Sequence, residues 1–358
     1  MQGRGERFYG LDALRGVAAL SVVFWHWQHF YFQGLQARKP LAIELPLHDI
    51  FSLLYARGWM AVDLFFILSG FIFFWLYAEP IARGRVLASR FLLLRFSRLY
   101  PLHLLTLLFV AGVGVDFVYA HNDMRHFGLQ LLFASSWGAE RGDSFNGPVW
   151  SVSVEVLVYA FFFVWCRHVR LKPRGLLLVA IFSLLVLKAL YPPLGRGVGG
   201  FFLGGWLCAT YQAWQHNRVA SRAMAWSAAS AWLATCVTHY ALAWTPPKWI
   251  GSVWPVLLFG CTVLALALNE PAWSRFLKRL AWLGDISYAS YLLHYPLQLL
   301  CVLAALAWGW PSGLYAQPAF LLAFMAVLIG LSLLFHHAFE LPIQKRLRSA
   351  ANASASVR

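Results

Sequence analysis

The chain has 358 residues, of which 60% are hydrophobic and only 12% charged. An ordinary soluble domain carries about twice that charged fraction, so a cytosolic enzyme, a disordered chain and a disulfide-stapled secreted module are all excluded. Lysine and arginine outnumber the acids by 29 to 14, a formal net charge of +15, but they are scattered in short loops between apolar runs, unlike the contiguous basic face of a nucleic-acid binder.

A membrane-spanning helix needs roughly 20 apolar residues. Ten such runs follow one another along the chain, at 11–32, 59–78, 99–119, 150–166, 175–191, 197–213, 224–243, 249–268, 286–309 and 317–339. The first follows Arg4 and Arg7 but is too long for the apolar region of a signal peptide, and it carries Arg15 and His26, so it reads as an uncleaved helix. Strands of a membrane barrel alternate over about ten residues, which these continuous runs do not. The fold class expected is therefore all-α, a polytopic membrane protein of about ten helices. Residues 1–345 form one integral-membrane domain and 346–358 a short cytoplasmic tail. The main loops fall at 33–58 and 120–149 outside and 79–98 inside.

Orientation follows from the cations. With both termini in the cytoplasm, twenty of the 29 lysines and arginines face inwards and seven outwards; Arg15 and Lys188 fall within spans. That asymmetry is the one expected of cytoplasmic loops. The five cysteines (Cys166, Cys208, Cys236, Cys261, Cys301) lie in apolar stretches without metal-ligand spacing, so neither a zinc site nor a disulfide framework is indicated. No cofactor is expected.

A charge at the centre of a span costs about 2.5–3.5 kcal/mol on insertion scales, so each one needs a partner or a task. Arg15 and His26 stand eleven residues apart, which returns to within about 20° of the same helix face over roughly 16 Å of axis. Arg15 then lies towards the cytosol and His26 in the outer half. Two readings stand for a lone intramembrane histidine: a satisfied interhelical hydrogen bond, or a general base. Glu155 enters its span from outside to a depth similar to that of His26, where a carboxylate orients an imidazole and raises its basicity. Asp63 reads as a catalytic acid, a helix N-terminal charge or the partner of an outer arginine. Arg196 reads as a snorkelling residue or a contact for an anionic acceptor; Ser153 reads as an acceptor-side or a structural residue. Inside, Arg95 and Arg98 share a helix face and abut the apolar span, a pattern that holds phosphates bidentately. Ser287, Tyr291 and His294 line one face of span nine, with His294 in its inner half among the candidates for acyl-CoA binding. Glu340 is placed to pair with the inner basic surface. The glycines Gly195, Gly197, Gly199, Gly200, Gly204 and Gly205 either allow close helix packing or line a substrate path.

These residues sit in five strings: Leu11-Asp-Ala-Leu-Arg-Gly running on to His26; Ala61-Val-Asp-Leu-Phe-Phe-Ile-Leu-Ser-Gly-Phe71; Arg95-Phe-Ser-Arg98-Leu-Tyr-Pro101; Trp150-Ser-Val-Ser-Val-Glu155; and Gly284-Asp-Ile-Ser-Tyr-Ala-Ser-Tyr-Leu-Leu-His-Tyr-Pro296. Together and in this order they resemble the acyltransferase-3 family of integral-membrane O-acyltransferases acting on bacterial glycans, lipopolysaccharide and some antibiotics. The resemblance covers nearly the whole chain. It implies catalytic roles for Arg15 and His26, places the family's Arg-x-x-Arg pattern on Arg95 and Arg98, and places its span-four acid on Glu155. Val156-Leu157 stands where many members have polar residues, leaving Glu155 the only acid there. About 18 residues follow the last span, so the stand-alone form without a fused extracytoplasmic domain is expected.

The function expected is transfer of an acyl group, acetyl foremost, from cytosolic acyl-CoA to a hydroxyl of a surface glycan or lipid-linked saccharide at a bacterial inner membrane. His26 acts as base, by direct attack or through an acyl-histidine. Two other classes share parts of the pattern. A transporter or flippase would also show midplane charges and glycine-rich packing. A haem or quinone protein would need histidines paired across helices, and the sequence displays no such pairing.

Overall fold

The computed structural model describes residues 7–33, 36–37, 39–113, 121–169, 172–244 and 247–356. Arg4, Arg38, Arg170 and Arg358 of the cation tally lie outside the described residues. The fold is all-α apart from two two-residue strands, β1 (Phe32–Gln33) and β2 (Gln36–Ala37), paired antiparallel.

Six helical segments are long and apolar enough to cross a membrane: His48–Ala82, Ala88–Val113, Gly147–His168, Pro173–Leu190, Ser287–Trp308 and Pro318–Ser349. The pair Val253–Leu268 and Glu270–Leu277, bent by 92°, makes a seventh if it counts as one span. A helix lies at each of the ten expected positions, but length and hydropathy together support six or seven rather than ten. The shortfall has local causes. Helix α1 (Tyr9–Trp25) runs for only 17 residues before the chain tightens into a 3-10 turn. Glycines and arginines dilute two of the later helices.

Two helices are short, α2 (His48–Arg57) and, beyond the longer α3 (Ala61–Phe73) and α4 (Ala88–Val113), α5 (Met124–Leu131). Helix α4 begins eleven residues before the expected span, so Arg90, Arg95 and Arg98 lie on the helix itself and not in an inner loop. Then follow α6 (Trp150–His168), α7 (Pro173–Phe182), α8 (Pro192–Trp214), α9 (Arg218–Cys236), α10 (Lys248–Leu268) and α11 (Glu270–Leu277). The last are α12 (Ser287–Trp308), α13 (Pro318–Phe335) and α14 (Leu341–Ser356). Proline opens α7, α8 and α13 within the first turn, where its missing N–H costs nothing.

The chain divides into two compact units. One comprises residues 1–18, 59–86 and 157–285. Its centre is the packing of α8 against α3 and α7. A Cβ at Gly70 would run into the backbone of Phe201, and one at Gly204 into the backbone of Ile67, so the two main chains touch. Phe71, Phe162, Phe201 and Phe202 are fully buried around this crossing. The close-packing reading of the glycines is the one the geometry supports.

The other unit comprises residues 19–58, 87–156 and 286–358. Helix α12 packs on α13 and α4, and α14 on α4. Trp27 is sealed in the core, donating its indole N–H to the Tyr315 carbonyl at 3.1 Å. After α13 a single π turn, His336–Glu340, leads into α14, so the residues expected to form a tail continue a helix to Ser356.

Candidate active site

Helix α1 ends at Trp25, and His26–Tyr31 winds more tightly, as a 3-10 turn. The change of winding alters the hydrogen-bond partners of the carbonyls at the junction. The buried side-chain amide of Gln298 on α12 meets that need, donating to the His26 carbonyl at 3.0 Å. The turn presents the His26 imidazole to α12, where its Nδ1 lies 2.9 Å from Nε2 of His294. The rings are 9° from parallel with centroids 4.9 Å apart. Parallel rings stacked face to face sit further apart than the nitrogens do here, so the contact is edge to edge, along the in-plane lone pair. His294 is completely buried and His26 half-buried, so His26 is the member of the pair open to a substrate. His29 stacks on His26 at 4.8 Å, and Tyr295 stands edge-on to His29.

The segment entering α6 holds α12 in place. Tyr291 donates its hydroxyl proton to the Pro148 carbonyl at 2.7 Å. Its hydroxyl also lies 2.8 Å from that of Ser151, which in turn stands 3.4 Å from the same carbonyl. Asn146 donates to the Leu292 carbonyl at 3.0 Å. These buried bonds fix α12 at Tyr291 and Leu292, within the turn that precedes His294.

Sequence position alone put His26 in the outer half of its span and His294 in the inner half of another; in the structure they meet. Hydropathy gives the ends of each run but not how far one helix slides against the next. The pairing of histidines across helices, absent from the sequence reading, is therefore present. The 2.9 Å separation is that of a hydrogen bond, and among the described residues no group of three His, Cys, Asp or Glu could hold a metal ion.

The other expected residues are distributed as follows. Glu155 is half-buried on α6 and is not among the hydrogen-bond partners of His26, which are His294 and Gln298. Arg15 donates to the Gly284 carbonyl from Nε at 3.2 Å and from Nη2 at 2.8 Å, and pairs with Asp12 at 3.0 Å. Gly284 fits there because a Cβ would strike the Asp12 backbone. Asp63 takes Arg196 Nε at 2.7 Å, the ion-pair reading, and Arg196 also lies over the Trp59 ring. Ser153 is sealed, donating to the Phe133 carbonyl at 2.6 Å and accepting from Ser136 N at 3.1 Å, which is its structural reading. Arg95 and Arg98 are half-buried on α4 beside α14, which brings Lys345, Arg346 and Arg348 to the same region. Buried Glu340 accepts from His336 at 2.9 Å and lies within electrostatic reach of Arg98. His294, expected near the acyl-CoA, has no exposed surface to offer a phosphate. Sequence reasoning missed Gln298 and Asn146. Gln298 stands four residues after His294, on the same helix face, and that spacing was the available signal.

Comparison with known proteins agrees with this architecture. The family model described as an acyltransferase domain, acyltransferase 3, matches residues 8–337. "Protein 2 in picA locus" of Rhizobium radiobacter is 31% identical over 208 residues, covering 52% of this chain and 97% of that protein. "Acyltransferase MdmB" of Streptomyces mycarofaciens is 35% identical over 182 residues, covering 48% of this chain and 43% of that one. "Peptidoglycan O-acetyltransferase OatA" of Listeria monocytogenes is 24% identical over 332 residues, covering 80% of this chain and 49% of that one. The chain thus spans about half the length of the two relatives named for an activity. No solved structure matches it. With the match running through nearly every helix described above, the chain belongs to the acyltransferase-3 family and is a multi-pass membrane acyltransferase.

Proposed function

We propose that the protein moves an acyl group, acetyl foremost, from acyl-CoA to a hydroxyl of a glycan or lipid-linked saccharide, with His26 as the general base, in the cytoplasmic membrane of a bacterium. The observation that carries this reading is the half-buried His26, held by the fully buried His294 at one ring nitrogen and by Gln298 at its carbonyl. The remaining nitrogen, Nε2, has no hydrogen-bond partner among the described residues. The Listeria relative's name, an O-acetyltransferase of peptidoglycan, supports both the oxygen acceptor and the acetyl donor.

The chemistry is balanced by one proton. Nε2 of His26 removes the proton of the acceptor hydroxyl as its oxygen attacks the thioester carbonyl. A C–O bond forms, the C–S bond breaks, and the thiolate leaves with the proton that His26 took. Arg95 and Arg98, with the basic residues of α14, hold the CoA phosphates; guanidinium pairs suit that geometry. Arg15, engaged with Asp12 and the Gly284 carbonyl, acts here as a positioning residue.

The test is His26→Ala in membranes supplied with radiolabelled acetyl-CoA and their own acceptor. Label transfer should disappear while protein level and acetyl-CoA binding persist. Wild-type transfer would overturn the assignment; solute movement without release of CoA would reveal a transporter instead.

A further inference from the structure

We propose that His294 is a positioning residue that holds His26 in the one tautomer able to act as base, an inference that rests on the reading of His26 above. Two neutral imidazoles joined by a 2.9 Å N···N bond share a single proton, so one ring donates and the other accepts. Which ring donates follows from the role read for His26. A base needs a bare Nε2, so Nδ1 of His26 carries the proton and donates to Nε2 of His294, the acceptor. The bare nitrogen then lies on the ring that is open to a substrate.

The alternative proton arrangement gives no base. Were His294 to donate, Nδ1 of His26 would be the acceptor and its Nε2 would already bear the hydrogen. The enzyme would present an acid where the reaction needs a base. No carboxylate bonds to the pair among the described residues; the titratable groups around it are His29 on the His26 face, Tyr291 against His294, and Tyr295 against His29. A neutral histidine thus does the orienting work usually given to an acid, without placing a negative charge in the membrane.

Nothing in this arrangement requires His294 to touch either substrate. During transfer the proton taken at Nε2 leaves His26 as an imidazolium whose Nδ1–H still points at His294, so the charge is shared through that bond and returns to neutrality when the thiolate is protonated.

The experiment compares His294→Ala and His294→Gln with the wild type, using membrane vesicles, radiolabelled acetyl-CoA and endogenous acceptor. A glutamine carbonyl can accept from Nδ1 of His26, so it should restore part of what alanine loses. His294→Ala should lower kcat by about 10–100-fold, in the range seen when an outer-shell partner is removed, with KM for acetyl-CoA unchanged and the rising limb of the pH–rate profile displaced. An unchanged kcat, a glutamine variant no better than alanine, or a loss confined to KM for acetyl-CoA would each overturn the proposal. Histidine-selective 15N NMR of the wild-type full chain covers the case in which a variant does not fold. His26, identified as the signal lost in His26→Ala, should carry its proton on Nδ1; a proton on Nε2 overturns the tautomer assignment. The two levels separate cleanly: an active His26→Ala fails the functional reading, whereas an inactive His26→Ala beside a fully active His294→Ala fails only this one.

Discussion

Nε of Arg196, near the start of α8, lies 2.7 Å from the carboxylate of Asp63 on α3, with only 16% and 13% of the two side chains exposed. The guanidinium also donates to the Trp59 carbonyl at 3.4 Å. Two opposite charges this well sheltered fasten one helix to another. Breaking such a pair from one side strands the remaining charge, which costs about 3–5 kcal/mol when the site is fully buried. Asp63→Asn and Arg196→Met should therefore each lower the thermal midpoint in detergent, and the double variant should be more stable than the sum of the two losses. Acyl transfer per folded molecule should be unaffected. Loss of turnover with normal stability would instead make the pair part of the reaction.

Arg95 and Arg98 are expected to act on the donor. Charge-assisted hydrogen bonds contribute about 1.5–3 kcal/mol each, so Arg95→Ala or Arg98→Ala should raise KM for acetyl-CoA by about 10–100-fold at nearly constant kcat. Lysine should rescue incompletely, since it lacks the planar fork. The difference from the wild type should narrow at high ionic strength, where salt screens the attraction that the variant has already lost. Kinetics at two salt concentrations check both points.

Gln298 offers a finer test. Replacing it with leucine keeps the volume but withdraws the donor to the His26 carbonyl. The stability cost should be about 1 kcal/mol, the usual net worth of a hydrogen bond. The effect on kcat should exceed it, because the loss falls on the turn that aims His26. Equal losses in stability and rate would argue that the bond is structural only.

The head of α5 supplies a pH-dependent contact. The Asp123 carboxyl sits at the head of α5 and is held below its ordinary range by the backbone N–H of His126 first, then by the His126 ring. A depressed carboxyl stabilises the fold in its ionised form. The contribution is therefore complete above the ordinary aspartate range near pH 4 and fades as the pH falls through the lower, folded-state value. Relative to the intrinsic exchange rate at each pH, the amides of α5 should lose protection on acidification in the wild type and be already less protected, and less pH-sensitive, in Asp123→Ala. Asn, which caps as well as Asp, should hold the helix across the same range.

What the sequence conveys about this fold depends on the physical signal involved. Continuous apolar runs announced helices at the right places, and the eleven-residue spacing of Arg15 and His26 marked α1 as the helix to watch. The early start of α4 was hidden because a hydropathy average rejects a turn rich in arginine, even though Ala88-Ser-Arg-Phe-Leu contains no helix breaker. Helices α2 and α5 were hidden by their shortness and mixed polarity. The change of winding at His26 has no glycine or proline to signal it. The meeting of His26 with His294 could not be read at all: it depends on the relative slide of two helices, which is set by tertiary packing. For the same reason Glu155, similar in nominal depth, was an attractive but different choice of partner.

The glycine crossing of α3 and α8 bears on where substrates can travel. At Gly70 and Gly204 the main chains are in contact, with no side chain and no gap between them. An acyl chain or a sugar cannot thread a seam that excludes a single methyl group. That seam is a wall, and a route for donor or acceptor has to run along other faces of the protein.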